Sequence, residues 1–134
     1  MDHEEALAII NAGIARASEI GVPMTIAVVD VRTDLVAQVR MDGAYRHTVD
    51  IAQGKALVST IFRSPSGDVT DDSSVVRRLN ALNQDRLVFA KGAVPIFAGG
   101  ALIGAVGVSG GTPEMDEQVA AAAAAATTTV GATS

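Results

Sequence analysis

Residues able to do chemistry gather in three places: Arg40-Met41-Asp42, His47 to Lys55, and Ser109-Gly110-Gly111-Thr112. The guanidinium of Arg40 can grip a carboxylate or propionate through a forked hydrogen bond, or it can pair with a neighbouring acid. Asp42 can move a proton if its pKa is raised; in front of Gly43 it reads equally as ordinary turn chemistry. Met41 offers a thioether to a haem iron, although a methionine at a strand end also fills a core. His47 can ligate haem iron or shuttle a proton, or it is simply an exposed residue at a helix start. Lys55 stands among Ala52, Ala56 and Ser59. On so apolar a face an amine can bind an anion or serve as a base; alternatively it reaches solvent or an acid such as Asp30 or Asp50.

The third group ends the stretch GGALIGAVGVSGGTP, residues 99–113. Free backbone N–H groups at Gly110, Gly111 and Thr112, ahead of a helix, suit an anion. Ser109 can add a hydroxyl there, but no histidine is obviously placed to make it a nucleophile. Capping of the helix alone also accounts for the segment. Its glycine spacing is GxxGxxG inside a strand, which is neither the dinucleotide fingerprint nor a phosphate-binding loop. The candidate catalytic set is thus Asp42, His47 and Lys55. The candidate ligand-binding set is Arg40, Met41, Lys55, Ser109, Gly110, Gly111 and Thr112. The arrangement expected is one cavity, with Arg40 and Lys55 as a cationic pair facing the side-chain-free glycine patch.

These residues need elements to hold them. Asp2 and Glu5 read as a capping box for a helix whose apolar positions are Leu7, Ile10, Ile14 and Ala17, and Gly21 ends it. Met24 to Asp30 and Leu35 to Met41 read as a strand hairpin around Arg32-Thr33-Asp34. Thr48 to about Phe62 reads as a helix with a small-residue face, and Ser64-Pro65-Ser66-Gly67 breaks it. Val75, Val76, Leu79 and Leu82 recur at helical spacing in the charged 68–86 stretch, which is either a solvated helix or a lid. Leu87 to Phe89 reads as a short strand. Val94–Ala98 and Ala101–Ser109 form a second hairpin across Gly99-Gly100. A last helix runs from Pro113 to about Thr128, capped by Thr112, and the tail is expected to fray after Val130. Short turns between neighbouring strands imply an antiparallel sheet.

Composition sets outer bounds. The 134 residues fit one domain, taken as 1–134, and 49% are hydrophobic. Tyr45, Phe62, Phe89 and Phe97 are the whole aromatic supply; they either line a pocket for a flat ligand or fill the core. The absence of cysteine excludes disulfides and thiolate chemistry. Without an HxH, HExxH or histidine–acid cluster, no zinc site is expected. A net charge of -5 argues against a nucleic-acid surface. No apolar run is long enough to span a membrane, and the acidic start lacks a signal's basic region, so a cytoplasmic location is expected.

In their order the motifs Gly21-Val22-Pro23, Val28-Val29-Asp30, Arg40-Met41-Asp42-Gly43-Ala44, Asp50-Ile51-Ala52 with Lys55-Ala56, Gly92 to Ile96, and Ile103 to Pro113 with Asp116 span nearly the whole chain. Together they resemble the GlcG/HbpS family of haem-binding-type proteins, related to the C-terminal domain of PduO-like corrinoid proteins. The resemblance implies an α+β, profilin-like sandwich with a central antiparallel sheet of about five strands flanked by helices. It also implies a homo-oligomer with a small-molecule pocket beside the sheet. Haem or a corrinoid is the ligand class it suggests. Lys91, where a glycine often stands, and the unmatched stretch 67–86 depart from the family's pattern.

Two functions follow. One is a small-molecule-binding protein holding haem, a corrinoid or another anionic planar molecule. The other is a cofactor-independent lyase, isomerase or hydrolase acting on a small anionic or aromatic carboxylate.

Overall fold

Both ends of the first helix, α1 (His3–Ile20), are closed by the residues expected to close them. Asp2 accepts from the Glu5 N–H at 2.8 Å while Glu5 reaches back to Asp2. Gly21 takes the left-handed conformation and returns its N–H to Ala17. The computed structural model describes residues 1–133, with side chains described as far as Thr127. After α1 come β1 (Thr25–Asp30), β2 (Leu35–Arg40), α2 (His47–Phe62), a single 3-10 turn (Ser66–Asp68), α3 (Ser74–Leu82), β3 (Ala93–Ala98), β4 (Ala101–Ser109) and α4 (Pro113–Thr133). The backbone of α4 continues through Thr133, past the end expected near Thr128, and the side chains of the tail expected to fray after Val130 lie outside those described.

The strands form one antiparallel sheet in the order β2-β1-β4-β3. Gly99 and Gly100 both have positive φ, the geometry a two-residue hairpin loop needs. Register divides the side chains between the two faces. Thr25, Ala27 and Val29 of β1 lie opposite Ser109, Gly107 and Ala105 of β4, while Ile26 and Val28 lie opposite Val108 and Val106. The second set is large and packs on Ile9 and Ile10 of α1 and Val119, Ala120 and Ala123 of α4. The first set is small and lets α2 lie close, with Val29, Ala56 and Ala105 in one cluster. The result is three layers: α2, the sheet, then α1 with α4.

The sheet has four strands, not about five. Leu87 to Phe89 joins no strand; Leu87 instead packs with Leu57 and Val58 of α2. The N–H of Val88 donates to the Gly54 carbonyl inside α2 at 3.2 Å. Gly54 has no side chain, so the carbonyl of Arg86 comes directly against the helix. An apolar triplet buried on a helix has the same composition as one buried in a sheet.

Within the charged stretch only Ser74–Leu82 is helical, with Ser73 accepting from the Val76 N–H at 3.1 Å. None of its residues is buried, and Val75 and Leu82 face solvent.

Candidate functional site

Three strand ends meet at one edge of the sheet. Thr25 opens β1, and its register partners are Arg40 at the end of β2 and Ser109 at the end of β4. The chain leaves β2 into the Met41–Arg46 loop and α2, and leaves β4 into Gly110-Gly111 and α4. Between these two exits lies an open cleft of about 320 Å³. One wall is Tyr45, His47 and Thr48; the facing wall is Ser109, Gly110 and Gly111, with Pro23, Gly43 and Ala44 completing it.

The Tyr45 and His47 rings stack with centroids 6.0 Å apart and planes at 29°. Both are exposed, Tyr45 to 76%. Under them, Thr48 Oγ1 donates to the Tyr45 carbonyl at 2.6 Å and lies 2.7 Å from Thr25 Oγ1. These buried hydroxyls tie the loop and the start of α2 to β1. Ser109 is only 7% exposed, and among the described residues its hydroxyl has no hydrogen-bond partner. A donor-acceptor group is therefore held on the cleft wall with its bonding capacity unspent.

Behind the glycine wall sits a buried ion pair. Lys55 Nζ donates to Asp116 Oδ2 and to the Val108 carbonyl, each at 3.0 Å. Asp116 Oδ1 accepts from the Gly111 N–H at 2.8 Å. The two side chains are about equally buried, at 5% and 4% exposure. Burial pushes the Asp116 carboxyl above the ordinary carboxylate range, while the Gly111 N–H and the Lys55 ammonium restrain the rise. The folded chain therefore binds this proton more readily than the unfolded chain. The stability contribution of Asp116 falls as pH climbs from the ordinary carboxylate range through the raised folded value, and is flat above it. Urea titrations of wild type and Asp116→Asn across about pH 4 to 7 check this. The stability difference is expected to move in favour of wild type as pH falls; a difference that stays constant contradicts it.

The cleft unites five residues singled out by sequence: Tyr45, His47, Ser109, Gly110 and Gly111. Arg40 and Lys55 do not form the free cationic pair expected to face the glycines. Arg40 is exposed at the sheet edge and donates from Nη1 to the Ala44 carbonyl at 2.8 Å. Lys55 is spent on Asp116 and Val108. Met41 turns inward, its sulfur accepting from the Met24 N–H at 3.5 Å, and packs on the core. Asp42 is exposed in the turn before Gly43. Thr112 accepts from the Met115 N–H at 3.2 Å, as a helix cap does. The Gly111 N–H expected to greet an anion already holds the chain's own carboxylate. In the sequence Asp116 stands only as the last residue of the motif that begins at Ile103. Among the described residues, no group of three histidine, aspartate or glutamate side chains could hold a metal ion. No described helix is long and apolar enough to cross a membrane. No residue of α3 lines the cleft; Asp85 and Arg86 instead border a separate hollow on the outer side of α2.

A four-stranded antiparallel sheet between helical layers, opening at one edge on a ring-lined cleft, defines a small α+β domain built to present a concave site. The chain belongs to the HbpS-like family, described as haem-degrading protein HbpS-like, which it matches over residues 1–125. It is 38% identical over 109 residues to a 15.0 kDa protein of the dhaT-dhaS intergenic region of Citrobacter freundii, covering 79% of this chain and 77% of that one. It is 26% identical to the corrinoid adenosyltransferase PduO of Citrobacter freundii over 90% of its own length, but spans only 37% of that relative. Among solved structures, a PduOC:haem complex superposes with a TM-score of 0.83 at 25% identity, covering 94% of each chain.

Proposed function

We propose that this chain is a small-molecule-binding protein whose ligand is haem or a related anionic planar molecule, seated in the cleft beside Tyr45 and His47. The observation that carries this reading is the pair of stacked, exposed rings facing a wall made of Ser109 and two glycines. A flat ligand can lie along the backbone of Gly110 and Gly111, whose Cβ positions point away from the cleft, toward Pro23, Met24 and Met115. The exposed imidazole of His47 can supply a nitrogen to iron. The free hydroxyl of Ser109 can orient a polar edge. A volume of about 320 Å³ is at the small end of ligand pockets, so the cleft takes one edge or face of a macrocycle. These residues fit the group on chemistry and shape. Bound haem would bring an iron centre capable of redox chemistry.

The likeness to the PduOC:haem complex and membership of the HbpS-like family support haem within this ligand class. The likeness to PduO keeps a corrinoid as a second probe. Asp42, His47 and Lys55 do not share a cavity wall, so nothing in this arrangement favours the cofactor-independent enzyme. Homo-oligomeric assembly and a cytoplasmic location belong to the same proposal, and sedimentation of the purified chain measures the first.

Titration with hemin, and with cobalamin in parallel, tests the reading. A shifted Soret band is expected with hemin. His47→Ala is expected to weaken binding by about tenfold or more and to change the band. Met41→Ala is expected to leave the band in place, because the sulfur faces Met24. Wild type giving no spectral shift, or His47→Ala binding unchanged, rejects the assignment.

A further inference from the structure

Two charged side chains that do not line the cleft are nevertheless bonded to its wall and to the strand residue beside it: Asp116 to Gly111, and Lys55 to Asp116 and Val108. Gly110 and Gly111 have no side chains with which to anchor themselves. Gly110 sits at φ 147°, and a Cβ there would lie 2.6 Å from the Pro23 carbonyl oxygen, so the loop already rests on β1's approach. On Gly111 a Cβ would lie 3.0 Å from the end of Met24 and 3.1 Å from Met115. What fixes the direction of the Gly111 N–H is the Asp116 carboxylate at 2.8 Å. That carboxylate is held by Lys55 at 3.0 Å, and Lys55 also holds the Val108 carbonyl, the last strand residue before Ser109. Lys55 lies on α2, the helix that begins at His47. A continuous chain of bonds therefore runs from the helix carrying one wall to the loop forming the other.

We propose that Asp116 and Lys55 are positioning residues of the cleft: their buried pair sets the Gly110–Gly111 wall at the spacing from His47 that a ligand requires. The inference rests on the reading of this cleft as the ligand site. It has a second consequence. The carboxylate occupies the N–H that an anion would seek at the start of α4. The acidic groups of a ligand are then directed to the open side of the cleft, away from the glycines.

The test uses the full chain, hemin as the probe, and formate as a replacement carboxylate. Asp116→Ala is expected to bind hemin about tenfold more weakly than wild type, the size of effect that loss of a supporting contact has at a ligand site. Its Gly111 amide is expected to exchange faster with solvent. Formate is expected to restore both, by taking the vacated place between Lys55 and Gly111, and chloride is not. Asp116→Asn keeps an oxygen for Gly111 and is expected to retain amide protection. A purely structural role lowers the melting temperature but leaves hemin affinity and Gly111 exchange of the folded protein unchanged, and that result overturns the proposal. If Asp116→Ala does not fold in buffer, refolding with formate is the readout. Recovery of a folded, hemin-binding chain supports the proposal. No recovery, together with an unprotected Gly111 and wild-type affinity in Asp116→Asn, overturns it. If wild type itself fails to bind hemin, the functional reading falls, and Gly111 exchange still decides whether the pair sets the loop.

Discussion

Asp116→Ala is expected to destabilise the chain by about 3–5 kcal/mol at neutral pH, the usual cost of removing one partner from a buried ion pair. The loss has two parts. The Lys55 ammonium is left on a side chain only 5% exposed, with the Val108 carbonyl as its remaining partner. The Gly111 N–H loses its acceptor at the same time. Lys55→Met is expected to cost less. The carboxyl it strands is already biased toward its neutral form by burial, and once protonated it still accepts from Gly111. Lys55→Met combined with Asp116→Asn is expected to recover most of the loss, because no buried charge remains and the Gly111 bond survives. Urea denaturation of wild type, Lys55→Met, Asp116→Asn and the double variant gives the coupling energy directly. A cost below about 1 kcal/mol for Asp116→Ala puts the pair in the class of weak surface bridges and ends the argument for a clamp.

That pair also marks where sequence stops being legible. Local rules serve well wherever the partner is near in the chain. Asp2 and Glu5, Gly21, the Gly99-Gly100 turn and Thr112 each act on residues within a few positions, and each closes its element as its type requires. The nearly continuous apolar run of β1 foretells a strand buried on both faces, but not which face meets the large core. Lys55 is different. Its acid is 61 positions away, while Asp30 and Asp50 lie nearer in sequence and do not reach it. Composition shows that a buried amine must find a partner, but only the packing of α2 across β4 selects Asp116. The cleft has the same character. Pro23, Gly43 to Thr48 and Ser109 to Gly111 come from separate segments, and the register of β1 with β2 and β4 is what brings their ends together. The Leu87–Phe89 triplet misleads for a related reason: its partner is a helix surface opened by Gly54, and no local pattern records that.

Gly107→Ala is expected to destabilise the chain by about 3 kcal/mol, the upper end of what overpacking costs, although it adds only one methyl. Gly107 lies within β4, paired on one side with Ala27 of β1 and on the other with Ala93 of β3. Its open face is covered by α2. A Cβ there would run into the carbonyl oxygen of Ala52 and lie 2.9 Å from the Ala56 nitrogen and 3.0 Å from the Ala56 Cβ. Those atoms are backbone or fixed to it, so no rotamer change relieves the clash. Either α2 moves as a body or β4 bends between two strands that hold it. Alanine's better backbone entropy, about 0.5–1 kcal/mol, is too small to offset this. The displacement is also transmitted to the cleft, since α2 carries His47 and is tied to β1 through the Thr25–Thr48 contact at 2.7 Å. Gly107→Ala should therefore lower the urea midpoint and weaken hemin binding together, though residue 107 does not line the cleft. Stability within about 1 kcal/mol of wild type, the range of a tolerated core substitution, means that α2 does not lie on β4 this closely. In that case the cleft's two walls are not held by helix-on-sheet contact.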